Sequence, residues 1–125
     1  MDKISVIIRN RNEEAYIGMA IQSVIDNFKT PEIIVVDNQS TDESMKVASL
    51  FDRYNIKKYS INGTYTPGKS INLGVKYASN ETILVLSAHS QITTLNIEML
   101  NQWFRQGHVA VFGNQTPIYL SLIHI

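Results

Sequence analysis

Residues Gly63 to Ser70, GTYTPGKS, match the phosphate-loop template G-x-x-x-x-G-K-[ST], with Gly63, Gly68, Lys69 and Ser70 at the fixed positions. In a working loop of that kind the backbone N–H groups cradle a nucleoside triphosphate, the lysine reaches the outer phosphates and the hydroxyl holds magnesium. The chemistry also needs a buried strand leading into the loop and a second apolar strand ending in Asp to hold the metal. Neither is present. KKYSI, ahead of Gly63, is the least apolar strand candidate in the chain, and TILVLSA, after the loop, presents Ser87 where the Asp should stand. EIIVVD does end in a carboxylate, Asp37, but it precedes the loop. A phosphate-loop triphosphatase is therefore the least favoured reading, and a turn whose Gly-Lys-Ser begins a helix is the better one.

The other residues able to do chemistry sit just past apolar runs, and the elements that must position them alternate. ISVII (4–8) reads as a strand buried on both faces. Ile17, Ala20, Ile21, Val24 and Phe28 then recur at helical spacing, predicting an amphipathic helix over about 13–27. EIIVVD (32–37) is a second buried strand. Ser40 to Glu43 reads as a capping box before a helix whose inner stripe is Met45, Ala48, Phe51 and Tyr54. KKYSI (57–61), with its charges, suits a sheet edge. A third helix follows Gly68 with Ile71, Val75 and Ala78 inward. TILVLSA (82–88) is the most apolar strand. A fourth helix over about 95–106 points Trp103 and Phe104 inward and stops at Gly107, and HVAVFG (108–113) reads as one more strand. This βα alternation predicts an α/β fold with a parallel sheet.

Parallel sheets of this kind place ligands at the carboxyl ends of their strands. The positions to inspect are thus 9–14, 37–42, 67–72, 87–91 and 113–115. Eleven basic residues balance eleven acidic ones, so no net field draws the chain to nucleic acid, and a bound anion must be held by local geometry. There is no cysteine, which removes disulfides, thiolate zinc sites and a thiol nucleophile and is compatible with a reducing compartment. No apolar run is long enough for a membrane span, and the amino terminus lacks a signal-peptide pattern, so a cytoplasmic location is expected.

Taken together, ISVIIRNRNEE, EIIVVDNQSTD, PGKSINLGVKYA and ILVLSAHS resemble, in order and spacing, the nucleotide-binding half of family 2 glycosyltransferases with the GT-A fold. That family opens with a strand and a Pro-x-x-Asn-Glu-like loop, has a strand ending V-D-[DN]-x-S-x-D, then a Gly-x-x-x-Asn-x-Gly helix start and a strand ending in a metal-binding D-x-D. The resemblance makes Gly68, Asn72 and Gly74 the helix-start pattern and Gly63 a coincidence. It sets residues 1–117 as a Rossmann-like, truncated GT-A donor domain and 118–125, YLSLIHI included, as a tail outside the pattern, read as a scar or non-native sequence. Two departures stand out. Arg9 replaces a frequent Pro, and Ser87-Ala88-His89-Ser90 replaces the D-x-D block, a variant similar to one in bacterial rhamnosyl-type transferases, which also have a G-x-Q-x-P like Gly113, Gln115 and Pro117.

What the resemblance implies is a glycosyltransferase that moves sugar from a nucleotide-diphosphate donor to an unidentified acceptor in bacterial surface polysaccharide synthesis. The parent is expected in the cytoplasm or associated with the membrane. A nucleotide-binding module without transfer activity is the alternative. Donor binding falls on Asn10, Arg11, Asn12, Glu13, Asp37, Lys69, Ser87 and His89. Asp37 either hydrogen bonds the nucleobase or caps the turn before Ser40. Lys69 either reaches phosphate or stays solvated at a helix start, and Asn72 is structural. His89 ligates Mn²⁺ or Mg²⁺ weakly, donates to the diphosphate, or simply ends a turn. The general base is expected in a following half, beyond these residues.

Overall fold

A computed structural model describes residues 3–117 and divides the chain at Leu95 into two compact units. The first carries four strands and three helices in strict alternation. These are β1 (Ile4–Asn10), α1 (Ile17–Asn27), β2 (Glu32–Asp37), α2 (Ser44–Ser49), β3 (Ile56–Ser60), α3 (Pro67–Tyr77) and β4 (Thr82–Ser87). The strands are all parallel in the order β3-β2-β1-β4. This is the predicted α/β class.

Burial follows position in that order. β2 is buried at every residue, and β1 at all but Arg9. β3 is a half-exposed edge, as its lysines require. β4 is also half-exposed despite its apolar sequence, because among the described residues it pairs only with β1. Ile7, Ile34 and Val36 share one sheet face and form a core with Ile61, against which Leu73 and Ala78 pack. α3 reaches this face because Gly74 has no side chain: a Cβ there would lie 2.6 Å from Ile7 Cγ2. The inner face of α3 is therefore Ser70, Leu73 and Gly74, and Val75, expected inward, is 47% exposed. By strand alternation Val6, Ile8, Ile33 and Val35 point the other way, equally sealed. α1 buries Ile17, Ala20, Ile21 and Val24 as its spacing predicts and approaches α2 where Gly18 faces Val47.

Two local expectations fail for identifiable reasons. The Ser40–Glu43 capping box does not form, and the short α2 starts after Glu43 without a side-chain cap. Ser40 Oγ is taken up by Asp37 and by the backbone N–H of Asn12 instead. Helix α1 begins at Ile17, not Glu13, because Glu13 to Tyr16 form a turn closed by Tyr16 and Ile17 N–H groups on the Glu13 carbonyl.

The second unit contains α4 (Ile97–Arg105), capped by Asn96 Oδ1 accepting from the Met99 N–H. Gly107, at φ +98°, stops it as expected. The N–H groups of Gly107 and His108 return to the Phe104 and Trp103 carbonyls, a Schellman closure that needs the left-handed residue. No residue of α4 is buried, so Trp103 and Phe104 do not form the inward stripe expected of them. HVAVFG is not a strand: Val109 and Phe112 are almost fully exposed, and none of 108–113 joins a ladder among the described residues. An apolar run becomes a strand only where its backbone finds a partner. The segment 118–125 lies outside the described residues.

Candidate functional site

Register sets the site. Asn10 pairs with Asp37, Asp37 with Ser60, and Arg9 with Ser87, so the polar ends of all four strands share one edge of the sheet. The loops that leave this edge are knotted together. Asp37, 6% exposed, accepts from Ser40 N–H through Oδ2 and from Asn10 Nδ2 (2.9 Å) and Ser40 Oγ through Oδ1. Asn10 Nδ2 also meets Ser44 Oγ at 2.9 Å. Asn12 and Gln39 adopt left-handed backbone conformations at φ +50° and +51°. That geometry turns Asn12 Oδ1 onto the N–H groups of Thr41 and Asp42, at 2.7 and 3.3 Å. Asp42 in turn accepts from Glu14 N–H and from Ser44. Desolvation pushes the Asp42 carboxyl up, but the bonds from Ser44 and Glu14 outweigh it and hold the group below its ordinary value.

Above this knot is an open cleft of about 320 Å³. Arg9, Asn10, Arg11, Glu13 and Asn38 line it from β1 and the loops after β1 and β2, Tyr65 and Ser70 from the loop before α3 and its first turn, and Ser87 and His89 from the end of β4 and the loop after it. His89 Nδ1 lies 3.3 Å from Glu13 Oε1 and 3.3 Å from Ser87 Oγ. Two buried side-chain atoms lack a hydrogen-bond partner among the described residues, Arg9 Nε and Asn10 Oδ1. Both belong to cleft residues. Buried polar atoms are nearly always satisfied, so a donor and an acceptor left without partners on adjacent residues set this cleft apart from the rest of the core.

The structure thus gathers five of the eight expected donor-binding residues in one cleft: Asn10, Arg11, Glu13, Ser87 and His89. Asp37, buried, and Asn12, exposed, do not line it and instead hold loops. Asp37 makes the turn to Ser40 that was the alternative to nucleobase contact. Lys69 lines a separate groove with Ser60, Asn62 and Asn72, and its Nζ donates to the Thr64 carbonyl at 2.8 Å. GTYTPGKS is a helix start: Thr66 Oγ1 caps α3 at the Lys69 N–H and Pro67 takes the first turn. Sequence reasoning placed Arg9, Asn38 and Ser40 within the stretches to inspect but read Arg9 as a change of residue type, gave Ser40 a helix-capping role and Asn38 no role, and did not name Ser44 or Tyr65. Arg9 carried a usable signal, a charge inside an otherwise sealed strand.

For a metal, His89 and Glu13 are the available donors. Among the described residues no three His, Cys, Asp or Glu side chains group together. Mg²⁺ and Mn²⁺ take about six ligands, mostly charged oxygens, and here one carboxylate and one imidazole face each other at bonding distance. This set does not fit an ion held by the protein alone.

Comparison with known proteins agrees with the geometry. A family profile described as "Glycosyl transferase family 2" matches residues 5–122. GalNAc(5)-diNAcBac-PP-undecaprenol beta-1,3-glucosyltransferase of Campylobacter jejuni is 31% identical over 118 residues, 91% of this chain and 38% of that protein. Poly(ribitol-phosphate) beta-N-acetylglucosaminyltransferase TarS of Staphylococcus aureus is 32% identical over 97 residues, 74% of this chain and 17% of TarS. The crystal structure of TarS 1–349 in complex with UDP superposes with a TM-score of 0.73 at 25% identity, over 93% of this chain and 38% of that one. Mannosyltransferase PcManGT from Pyrobaculum calidifontis, in complex with GDP-Man and Mn²⁺, shares the fold at TM-score 0.67 and 16% identity, over 73% of this chain and 28% of its own. The chain spans 38% of the length of the C. jejuni relative, and by its profile match, its relatives and its sheet it belongs to glycosyl transferase family 2.

Proposed function

We propose that this chain is the donor-binding part of a glycosyltransferase that takes its sugar from a nucleotide diphosphate and builds a bacterial surface glycan. The observation that carries the reading is the cleft at the strand ends, with an unpartnered buried donor on Arg9 and an unpartnered buried acceptor on Asn10. A nucleoside diphosphate offers both complements, since its phosphates accept and its base and ribose also donate. In this reading Asn10, Asn38 and the loop held by Asn12 and Asp37 meet the nucleoside, and Arg11, Ser87 and His89 surround the diphosphate. His89, fixed against Glu13, donates to phosphate oxygen. Dependence on Mn²⁺ or Mg²⁺ is weak, because the protein supplies few hard ligands.

The relatives' names support the acceptor class: one carries an undecaprenol diphosphate and the other poly(ribitol-phosphate). Work on such acceptors would place the enzyme beside the membrane, and no helix among the described residues is long and apolar enough to cross one. Thermal-shift titration with UDP, dTDP, GDP and ATP tests the proposal, since a ligand of the native state raises its melting point. A pyrimidine diphosphate is expected to stabilise more than ATP. Equal shifts for all four, or none, would refute it.

A further inference from the structure

We propose that Arg9 binds the donor's diphosphate directly, in place of a protein-held metal ion. The inference rests on the donor-binding reading above and deepens it. Arg9 and Ser87 are register partners on neighbouring strands, so their side chains leave the same face of the sheet about 5 Å apart. These are the two places where the sequence departs from the resembled pattern, one by gaining a cation and the other by losing a carboxylate. In space they are one place. An Asp at Ser87 would pair with Arg9 and cancel it. Ser leaves the guanidinium without a counter-ion.

The surroundings support the same assignment. Arg9 lies in a strand whose other residues are all buried, and its Nε is buried without a partner. None of the ion pairs among the described residues includes Arg9 or Arg11. Glu13, the acidic residue lining the cleft, faces His89. A guanidinium kept half-buried and uncompensated is unfavourable to the fold itself, and an anion in the cleft removes the deficit. Its planar fork matches phosphate oxygens, and such charge-assisted contacts are among the stronger polar interactions. Arg11, exposed at the mouth of the cleft, adds a second positive group.

Calorimetric titration of the chain with UDP and with uridine, each with Mn²⁺ and with EDTA, tests this on wild type, Arg9→Gln and Arg9→Lys. Wild type is expected to bind UDP in EDTA within about threefold of its affinity in Mn²⁺. Arg9→Gln should lose about tenfold or more for UDP, and Arg9→Lys should recover only part because it cannot form the fork. Uridine affinity should not change. Unliganded Arg9→Gln should melt no lower than wild type, because the substitution removes an unpaired charge. UDP binding that requires Mn²⁺ and ignores Arg9→Gln would overturn the inference and leave the donor-binding reading standing. So would an Arg9→Gln protein that unfolds or melts lower, since Arg9 would then serve the fold. Absence of UDP binding under every condition would instead sink the donor-binding reading.

Discussion

Glu32 offers the most quantitative test of the fold. It begins β2 at the amino edge of the sheet, opposite the cleft, and is 3% exposed. Oε1 accepts from Ser5 Oγ (2.6 Å) and Ser79 N–H (2.8 Å), and Oε2 from Lys57 Nζ and Ser79 Oγ, both at 2.8 Å. Burial alone would raise this carboxyl, but the bonds from Lys57, Ser5 and Ser79 outweigh it and lower the group from 4.5 to about 2. At 1.36 kcal/mol per unit that difference is about 3 kcal/mol of stability. Because the folded value is depressed, the contribution is complete above pH 4.5 and is lost as pH falls toward 2. Glu32→Gln keeps the shape, removes the charge and turns an amide N–H toward donors. It should cost about 3 kcal/mol at pH 7, a large share of a small domain's stability. Urea unfolding followed by circular dichroism at pH 7, 4.5 and 3 would measure the gap between wild type and variant, which should narrow at the lowest pH. A gap of constant size from pH 7 to 3, or one below about 1 kcal/mol at pH 7, would refute the reasoning.

Gly74→Ala should destabilise by about 1–3 kcal/mol in the same assay, since its Cβ would come within 2.6–2.8 Å of three Ile7 side-chain atoms, and Ile7→Val should recover part of the loss. Lys69→Ala should leave UDP affinity within about twofold and stability nearly unchanged, because its ammonium meets only the Thr64 carbonyl on an exposed surface. A loss of nucleotide binding there would revive the phosphate-loop reading. Asp37→Asn puts an amide donor opposite Asn10 Nδ2 and Ser40 and should cost about 1–3 kcal/mol, with UDP affinity falling as the loop above it loosens. Wild-type melting and wild-type affinity together would show that the turn does not depend on the carboxylate.

The sheet was legible in the sequence because its central strands are sealed on both faces, and a run such as IIVV has no other stable home. The site was legible as a set of positions, since parallel strands deliver their carboxyl ends to one edge. What could not be read was which polar residues face the ligand and which face each other. Asp37, Ser40 and Asn12 have the composition of a ligand-binding loop, yet their oxygens are spent on Asn10 and on backbone N–H groups. That partition depends on two left-handed residues, Asn12 and Gln39, and on a register that sets Asn10 beside Asp37. Ser40 shows the limit most clearly. A serine three residues before a glutamate satisfies the capping pattern, but a nearer carboxylate offered a stronger acceptor. HVAVFG failed differently: its pattern promised a strand, and strand formation is decided by a neighbour that local sequence does not encode.

The two ends of the sheet treat buried polarity in opposite ways, and the contrast separates folding from function. At the amino end, Ser5, Glu32, Ser79, Asn80 and Lys57 form a network in which each carboxylate oxygen has two donors. It is complete without any other molecule, and its purpose is to tie the starts of β1 and β2 to the end of α3. At the carboxyl end the same kinds of residue stop short of completion. Asn10 gives its amide hydrogens to Asp37 and Ser44 and keeps its carbonyl oxygen unmet, and Arg9 brings a charge with no counter-ion. An unmet buried group costs about 1–3 kcal/mol, so the open end is unfavourable to the fold taken by itself. The deficit sits on adjacent residues of β1, at the strand-end edge where parallel sheets receive ligands. A molecule that accepts from Arg9 and donates to Asn10, as the proposed nucleoside diphosphate would, closes that deficit.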